Sequence, residues 1–182
     1  MTTYKNAMIK IPKRYENVKW EDTPKEIADH LHNYKKGEGE NKGLYIYGGV
    51  GSGKTHLAYS IAKRANEKDI AMVIKNVPEL LREFRLDLKR EGVQKTFIED
   101  KIMNYSGLLV LDDIGSEKMS DWVEETFYLI INKRYNEMLP TVFTSNLKLS
   151  ELAERIGDRL ASRIAGSCVS YELKGEDKRI TK

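Results

Sequence analysis

Five short apolar runs punctuate the chain, and segments of helical periodicity separate them. "GLYIY" at 43–47, "IAMVIKN" at 70–76, "GLLVLDDIG" at 107–115, "TVFTSN" at 141–146 and "SCVSYEL" at 167–173 each read as a strand. The third is almost wholly apolar until its acids, the pattern of a strand buried on both faces. Thr23-Pro24 reads as an N-cap followed by proline at the first helical position, which opens a helix running to about residue 36. "KGEGENKG" at 36–43 is a loop. Helical spacing recurs over 54–67, over 78–89 through Leu80, Leu81, Phe84 and Leu88, over 97–105 and over 122–138. Residues 150–165 hold one or two short helices. Strands alternating with helices predict a parallel sheet covered by helices on both faces, an α/β sandwich of three layers. Before it, residues 1–23 are polar and irregular, and Pro12 with the aromatics of "IPKRYENVKWED" predicts an extended segment docked on the domain.

Composition narrows the class. A length of 182 residues with 40% apolar positions suits one globular domain with a proper core. The net charge of +3 permits nucleic-acid binding without arguing for it. A single cysteine, Cys168, cannot close an internal disulfide, which fits a reducing cytoplasm and a role as small core filler on a strand. No apolar run approaches a membrane span, and the N-terminus has no apolar signal region. One cysteine and three scattered histidines, His30, His32 and His56, leave no zinc spacing.

Chemistry concentrates between the first strand and the following helix. Gly48-Gly49-Val50-Gly51-Ser52-Gly53-Lys54-Thr55 fits the phosphate-loop pattern G-x-x-x-x-G-K-[ST]. Glycines let the backbone take left-handed angles and turn its N–H groups toward phosphate oxygens. The helix that follows offers its positive end to the same anion. Lys54 would reach the β- and γ-phosphates of ATP, and Thr55 would give its hydroxyl to Mg²⁺. His56 completes the expected nucleotide contacts. "LLVLDD" supplies a second half: Asp112 at the strand end is placed to hold Mg²⁺ through water, and Asp113 to polarise the attacking water. Asn146, after the fourth strand, can orient water or contact the γ-phosphate, and equally can cap the helix that follows.

Taken together, "KTHL" at 54–57, "LLVLDDIG" at 108–115, "RYNEMLPTVFTSN" at 134–146 and "RLASRI" at 159–164 resemble the AAA+ ATPases of the bacterial helicase-loader group. That group includes DnaC and DnaI, with relatives in the transposition helper IstB and the initiator DnaA. The resemblance runs from about residue 11 to 179. It implies a P-loop NTPase (AAA+) fold with a five-stranded parallel sheet in the order 5-1-4-3-2, with residues 1–23 as a linker and 24–182 as the ATPase domain. It assigns Asn146 to the sensor 1 position. It also gives a role to Arg163, with Arg159 as second candidate: an arginine reaching across a subunit interface toward the neighbour's γ-phosphate. By residue pattern alone, those two arginines are four apart on one helix face and fit a salt-bridging surface as well. The chain departs from the loaders in one expectation, the absence of a separate helicase-binding domain. The helical lid of most AAA+ proteins is also expected to be absent, since few residues follow Leu173, and DnaC-type proteins lack it too. Arg179 lies near a family position after the last strand.

Arg82, Arg85, Lys89, Arg90 and Lys95 cluster between the second and third strands, in what resembles the extra helical insertion of the initiator and loader clade. Glu79, Glu83, Asp87 and Glu91 are interleaved with them, so a solvated helix face accounts for the cluster too. Phe84 and Phe97 lie nearby without forming an evident stacking platform. The implied activity is Mg²⁺-dependent ATP hydrolysis by a cytoplasmic protein that self-associates through its ATP site. Its implied partners are single-stranded DNA and a DnaB-like replicative helicase. Two alternatives share the ATP site: a phage or mobile-element module that binds a host helicase or loader, and an IstB-like transposition helper.

Overall fold

The computed structural model describes residues 11–32, 42–87 and 102–175. Strands β1 (Gly43–Tyr47), β2 (Met72–Asn76), β3 (Leu108–Asp112), β4 (Thr141–Ser145) and β5 (Cys168–Glu172) form one sheet in the order β2-β3-β4-β1-β5. Every pairing is parallel. This is the order 5-1-4-3-2 read from the opposite edge. The helices are α1 (Lys25–His32), α2 (Lys54–Glu67), α3 (Val77–Asp87), α4 (Asp121–Asn136), α5 (Leu149–Ile156) and α6 (Asp158–Ser167).

Period-two alternation sorts the strand residues between two cores. Leu44, Ile46, Leu108, Val110 and Val142 pack with Ile27 of α1 and with Leu57, Ala58 and Ile61 of α2. Tyr45, Leu109, Leu111 and Phe143 face the other way, onto α3, α4, α5 and α6. Both sheet faces are therefore covered, as the apolar run of β3 requires.

Local signals set the element ends. Ser120 caps α4 by accepting from Val123 N at 3.4 Å. Gly157, at φ 87°, separates α5 from α6, so the predicted 150–165 segment is two helices. α1 begins at Lys25, one residue later than Thr23-Pro24 predicts, and the Thr23 hydroxyl lies 3.0 Å from that of Ser60, tying the entry to α1 onto α2. The N-terminal segment is not fully extended. It forms two single 3-10 turns, at Lys13–Tyr15 and Trp20–Asp22, with Val18 buried between them. Residues 33–36 of the first predicted helix, residues 97–101 of the fourth, and the cations Lys89, Arg90, Lys95 and Arg179 lie outside the described residues.

The sequence pattern gave Arg134 no structural role, yet it is 2% exposed. Its guanidinium donates to the carbonyls of Ile102, Tyr105 and Pro140 at 2.8–3.0 Å, to that of Gly107 at 3.4 Å, and to Thr141 Oγ1 at 2.8 Å. It thus ties the end of α4 to the chain entering β3 and to the start of β4. Truncating such a group strands several buried carbonyls. Arg134→Ala is expected to lower unfolding free energy by about 1–3 kcal/mol for each buried carbonyl left unpaired, read by urea denaturation. Arg134→Lys, which cannot span the same carbonyls, is expected to recover only a minor part.

Candidate nucleotide site

The carboxyl ends of β1, β3 and β4 meet in a cleft of about 560 Å³. In an open parallel sheet this crevice is where ligands bind. Gly51 at φ 75° and Gly53 at φ 100° let the loop after β1 curl, and α2 begins at Lys54 directly behind it. Gly48 has a second constraint: a Cβ there would run into the Leu173 carbonyl. Lys54 is 7% exposed, and its Nζ donates to the carbonyls of Gly48 and Gly49 at 2.8 and 2.7 Å. Ser52 is buried with its Oγ 3.4 Å from the same Nζ, while Val50 is exposed at the loop tip. Loop N–H groups and the positive end of α2 suit an anion of phosphate size.

Sheet register builds the acidic side. Asn76 pairs with Asp112, and Leu111 pairs with Phe143, which places Asp112 beside Thr144. By parity Asn76, Asp112 and Thr144 project on the α2 face, where Thr55 waits. Thr144 Oγ1 donates to Asp112 Oδ1 at 2.6 Å, and Thr55 Oγ1 donates to Asp112 Oδ2 at 3.1 Å. A carboxylate and a hydroxyl in contact are hard oxygen donors of the kind Mg²⁺ takes. Asp112 is 5% exposed, and burial pushes its pKa up. The neighbouring Asp113 charge adds to the rise, while hydrogen bonds from Thr144, Thr55 and Asn76 oppose it.

Asp113 sits just past β3 at φ 66°, a left-handed angle that costs a non-glycine residue about 1 kcal/mol. Its N–H donates to Thr144 Oγ1 at 2.9 Å, its carbonyl accepts from Ser116 Oγ, and its Oδ1 accepts from Asn146 Nδ2 at 3.0 Å. Gly115 follows at φ 88°, with its carbonyl held by Arg155 at 2.6 Å and its N–H by Glu117. The turn therefore presents the Asp113 carboxylate beside Asn146 at the mouth of the cleft. Both line it, together with Lys54, Thr55 and His56.

A second cleft of about 550 Å³ opens on the other side of the loop. Lys19, Thr23 and Pro24 of the N-terminal segment, Ser60 of α2, and Leu173 and Lys174 after β5 form its walls. Gly53 and His56 line both clefts, so the phosphate loop divides a single trough. Arg159 and Arg163 line neither. Arg159 is exposed on α6. Arg163 Nε donates to Asn132 Oδ1 of α4 at 2.8 Å, and its guanidinium lies 5.5 Å from the Tyr128 ring centre and 6.0 Å from that of Tyr135. In the insertion, Arg85 lies over Trp122 at 4.7 Å, and Glu83 pairs with Lys75 at 2.7 Å.

Sequence reasoning missed Arg14, Tyr15, Asn76 and Thr144, all of which line the first cleft. Thr144 was recoverable in part, since alternation within β4 puts it on the α2 face. Its apposition to Asp112 depends on strand order and register, which no local pattern carries.

Comparison with known proteins gives one consistent result. The sequence model of the IstB-like ATP binding protein family matches residues 7–182. The replicative helicase loader DnaI of Bacillus subtilis (strain 168) is 32% identical over 166 residues, which cover 84% of this chain. The chain spans about half of that relative, 52% of its length. Among solved structures, the crystal structure of the DnaC helicase loader superposes with TM-score 0.78 at 32% identity, covering 90% of this chain and 100% of that one. The crystal structure of DnaI does so with TM-score 0.76 at 29% identity, covering 94% and 95%.

The raised pKa of Asp112 carries a stability consequence. Between the unfolded value near 3.8 and the higher folded value, the folded state binds more protons. Stability is therefore lost as pH rises through that window and stays reduced above it. Asp112→Asn keeps an acceptor for Thr144 and removes the buried charge. The variant is expected to be more stable than the parent at pH 7, with the difference shrinking as pH falls toward 4. Denaturant midpoints at both pH values check this; a variant less stable at pH 7 would show that the hydrogen bonds outweigh desolvation.

Proposed function

The chain belongs to the IstB-like ATP binding protein family, and from that premise we propose that it is a Mg²⁺-dependent ATPase of the helicase-loader type, acting on a replicative helicase with single-stranded DNA as its platform. The observation that carries the reading is the pairing of two contacts across the cleft: Thr55 with Asp112 at 3.1 Å, and Asn146 with Asp113 at 3.0 Å. One suits a metal and the other suits an attacking water, and both face the phosphate loop.

The triphosphate of ATP would lie in the loop with Lys54 at its β- and γ-oxygens, and the base in the second cleft against the N-terminal segment. Mg²⁺, held at Thr55 and Asp112, would neutralise charge on the phosphates. Asp113 accepts a proton from water as that water attacks the γ-phosphorus and the bond to the bridging oxygen breaks, leaving ADP. Asn146 would hold the Asp113 carboxylate for this step, and Thr144 the Asp113 backbone N–H. Arg163 lines neither of the two clefts beside the phosphate loop, which supports its acting on the site of a neighbouring copy. Asn132 and the two tyrosines hold it meanwhile.

The family's name favours a second reading, a transposition helper, which uses the same ATP site and differs in its partner. Recovery of a replicative helicase with the tagged protein supports the first; recovery of a transposase supports the second.

Lys54→Ala is expected to weaken ATP binding at least about tenfold, through loss of a charge-assisted phosphate contact. Calorimetric titration reads this, and unchanged affinity removes the site assignment. Arg163→Ala is expected to reduce turnover on the order of 10³-fold in the assembled protein, with ATP affinity within about twofold of the parent. Steady-state hydrolysis measured across protein concentrations checks it.

A further inference from the structure

The N-terminal segment is fastened to α2 more firmly than a polar stretch requires. The Tyr15 ring stacks on Tyr59 with centres 4.5 Å apart and planes 15° from parallel, and it meets His56 edge-on at 6.5 Å. Lys63 Nζ donates to the carbonyls of Glu16 and Val18, each at 2.9 Å. Ser60 Oγ donates to the Lys19 carbonyl at 3.1 Å, and Val18 is 2% exposed. The turn itself is closed by Tyr15 N–H to the Pro12 carbonyl at 2.8 Å.

These contacts are aligned with the catalytic face of α2. Thr55, Tyr59 and Lys63 recur every four residues, so they form one stripe along the helix. Thr55 touches Asp112, Tyr59 carries Tyr15, and Lys63 caps the segment behind it. The stripe fixes where Arg14 goes. It is exposed, lines the phosphate cleft with Lys54, Asp113 and Asn146, and makes no hydrogen bond or ion pair among the described residues. A guanidinium is always charged and presents a planar fork matched to phosphate oxygens. A solvated surface arginine needs no such anchorage of its neighbours.

We propose that Arg14 is a phosphate ligand supplied by the same chain that recognises the terminal phosphate of ATP, so that the N-terminal segment distinguishes ATP from ADP. The inference rests on reading the cleft as an ATP site. Docking of the segment by Tyr15 and Lys63 is what positions the contact, and Arg163 of a neighbour acts separately from it.

The test is direct titration of Arg14→Ala with a non-hydrolysable ATP analogue and with ADP, at protein concentrations where the chain is monomeric. Affinity for the analogue is expected to fall roughly tenfold or more, by loss of a charge-assisted contact, with ADP affinity within about twofold. Arg14→Lys is expected to regain part of the loss. Equal weakening of both nucleotides, or of neither, overturns the proposal. A loss seen only at concentrations where the protein assembles also overturns it, because the contact would then be made between chains. Lys54→Ala serves as the reference: if it leaves both affinities unchanged, the ATP-site reading itself fails, whereas loss of both there with an unaltered ratio in Arg14→Ala sinks only the role of Arg14. Because Arg14 is exposed, melting temperature is expected to match the parent, and Arg14→Gln replaces Arg14→Ala should it not.

Discussion

The Asp112 carboxylate is the point on which the site depends, since three elements converge on it. It ends β3, accepts from Thr144 of β4 and accepts from Thr55 of α2. A buried acid with raised pKa is an unfavourable thing to build at the end of an interior strand. The two hydroxyls make it tolerable, and they do so only when strand register and helix position are both correct. Thr144 has a further task, because its oxygen also accepts the Asp113 N–H at 2.9 Å. One hydroxyl therefore bridges Asp112 and Asp113 and sets their spacing.

The order β2-β3-β4-β1-β5 is what makes this geometry available. β4 lies between the strand bearing Asp112 and the strand leading into the phosphate loop, so its end looks onto both. Register does the rest. Leu44 pairs with Val142 and Ile46 with Thr144, while Leu111 pairs with Phe143. A slip of one residue anywhere in β4 would turn Thr144 away from α2 and put Phe143 or Ser145 in its place. The apolar alternation that fills two cores is thus also the device that aims the polar groups at the strand ends.

Local pattern made most of this architecture legible. The strands at 43–47 and 141–145 fall where their apolar runs predicted, and the paired acids and the glycine loop stand where motif spacing placed them. Residues whose roles depend on distant chain segments were not legible. Arg134 reads as an ordinary helix cation until the carbonyls of Ile102, Tyr105 and Pro140 are brought around it. Arg14 belongs to a segment with no periodicity, and only the stacking of Tyr15 on Tyr59 gives its position meaning. Asn76 carries no motif, and it matters because β2 happens to pair with β3 at Asp112.

The two halves of the proposed chemistry are restrained very unequally. The turn bearing Asp113 is held by Thr144, Asn146, Ser116, Arg155 and Glu117, and Ile114 N–H adds a bond to the Thr144 carbonyl at 2.9 Å. Such a turn stores backbone strain without room to relax it. Arg163, by contrast, is held to the rest of the fold by one amide oxygen and two ring faces, on a helix that a glycine separates from α5. Exposed cation–aromatic contacts are worth only about 0.5–1 kcal/mol each. In the proposed assembly, a neighbouring copy would therefore meet a firmly held acid turn and a more weakly held arginine. Arg155 joins the two, since it reaches from the end of α5 to the Gly115 carbonyl within the catalytic turn. That contact links the helix pair carrying Arg163 to the turn that carries Asp113, so the tightly held turn and the loosely held arginine share a hydrogen-bonded connection.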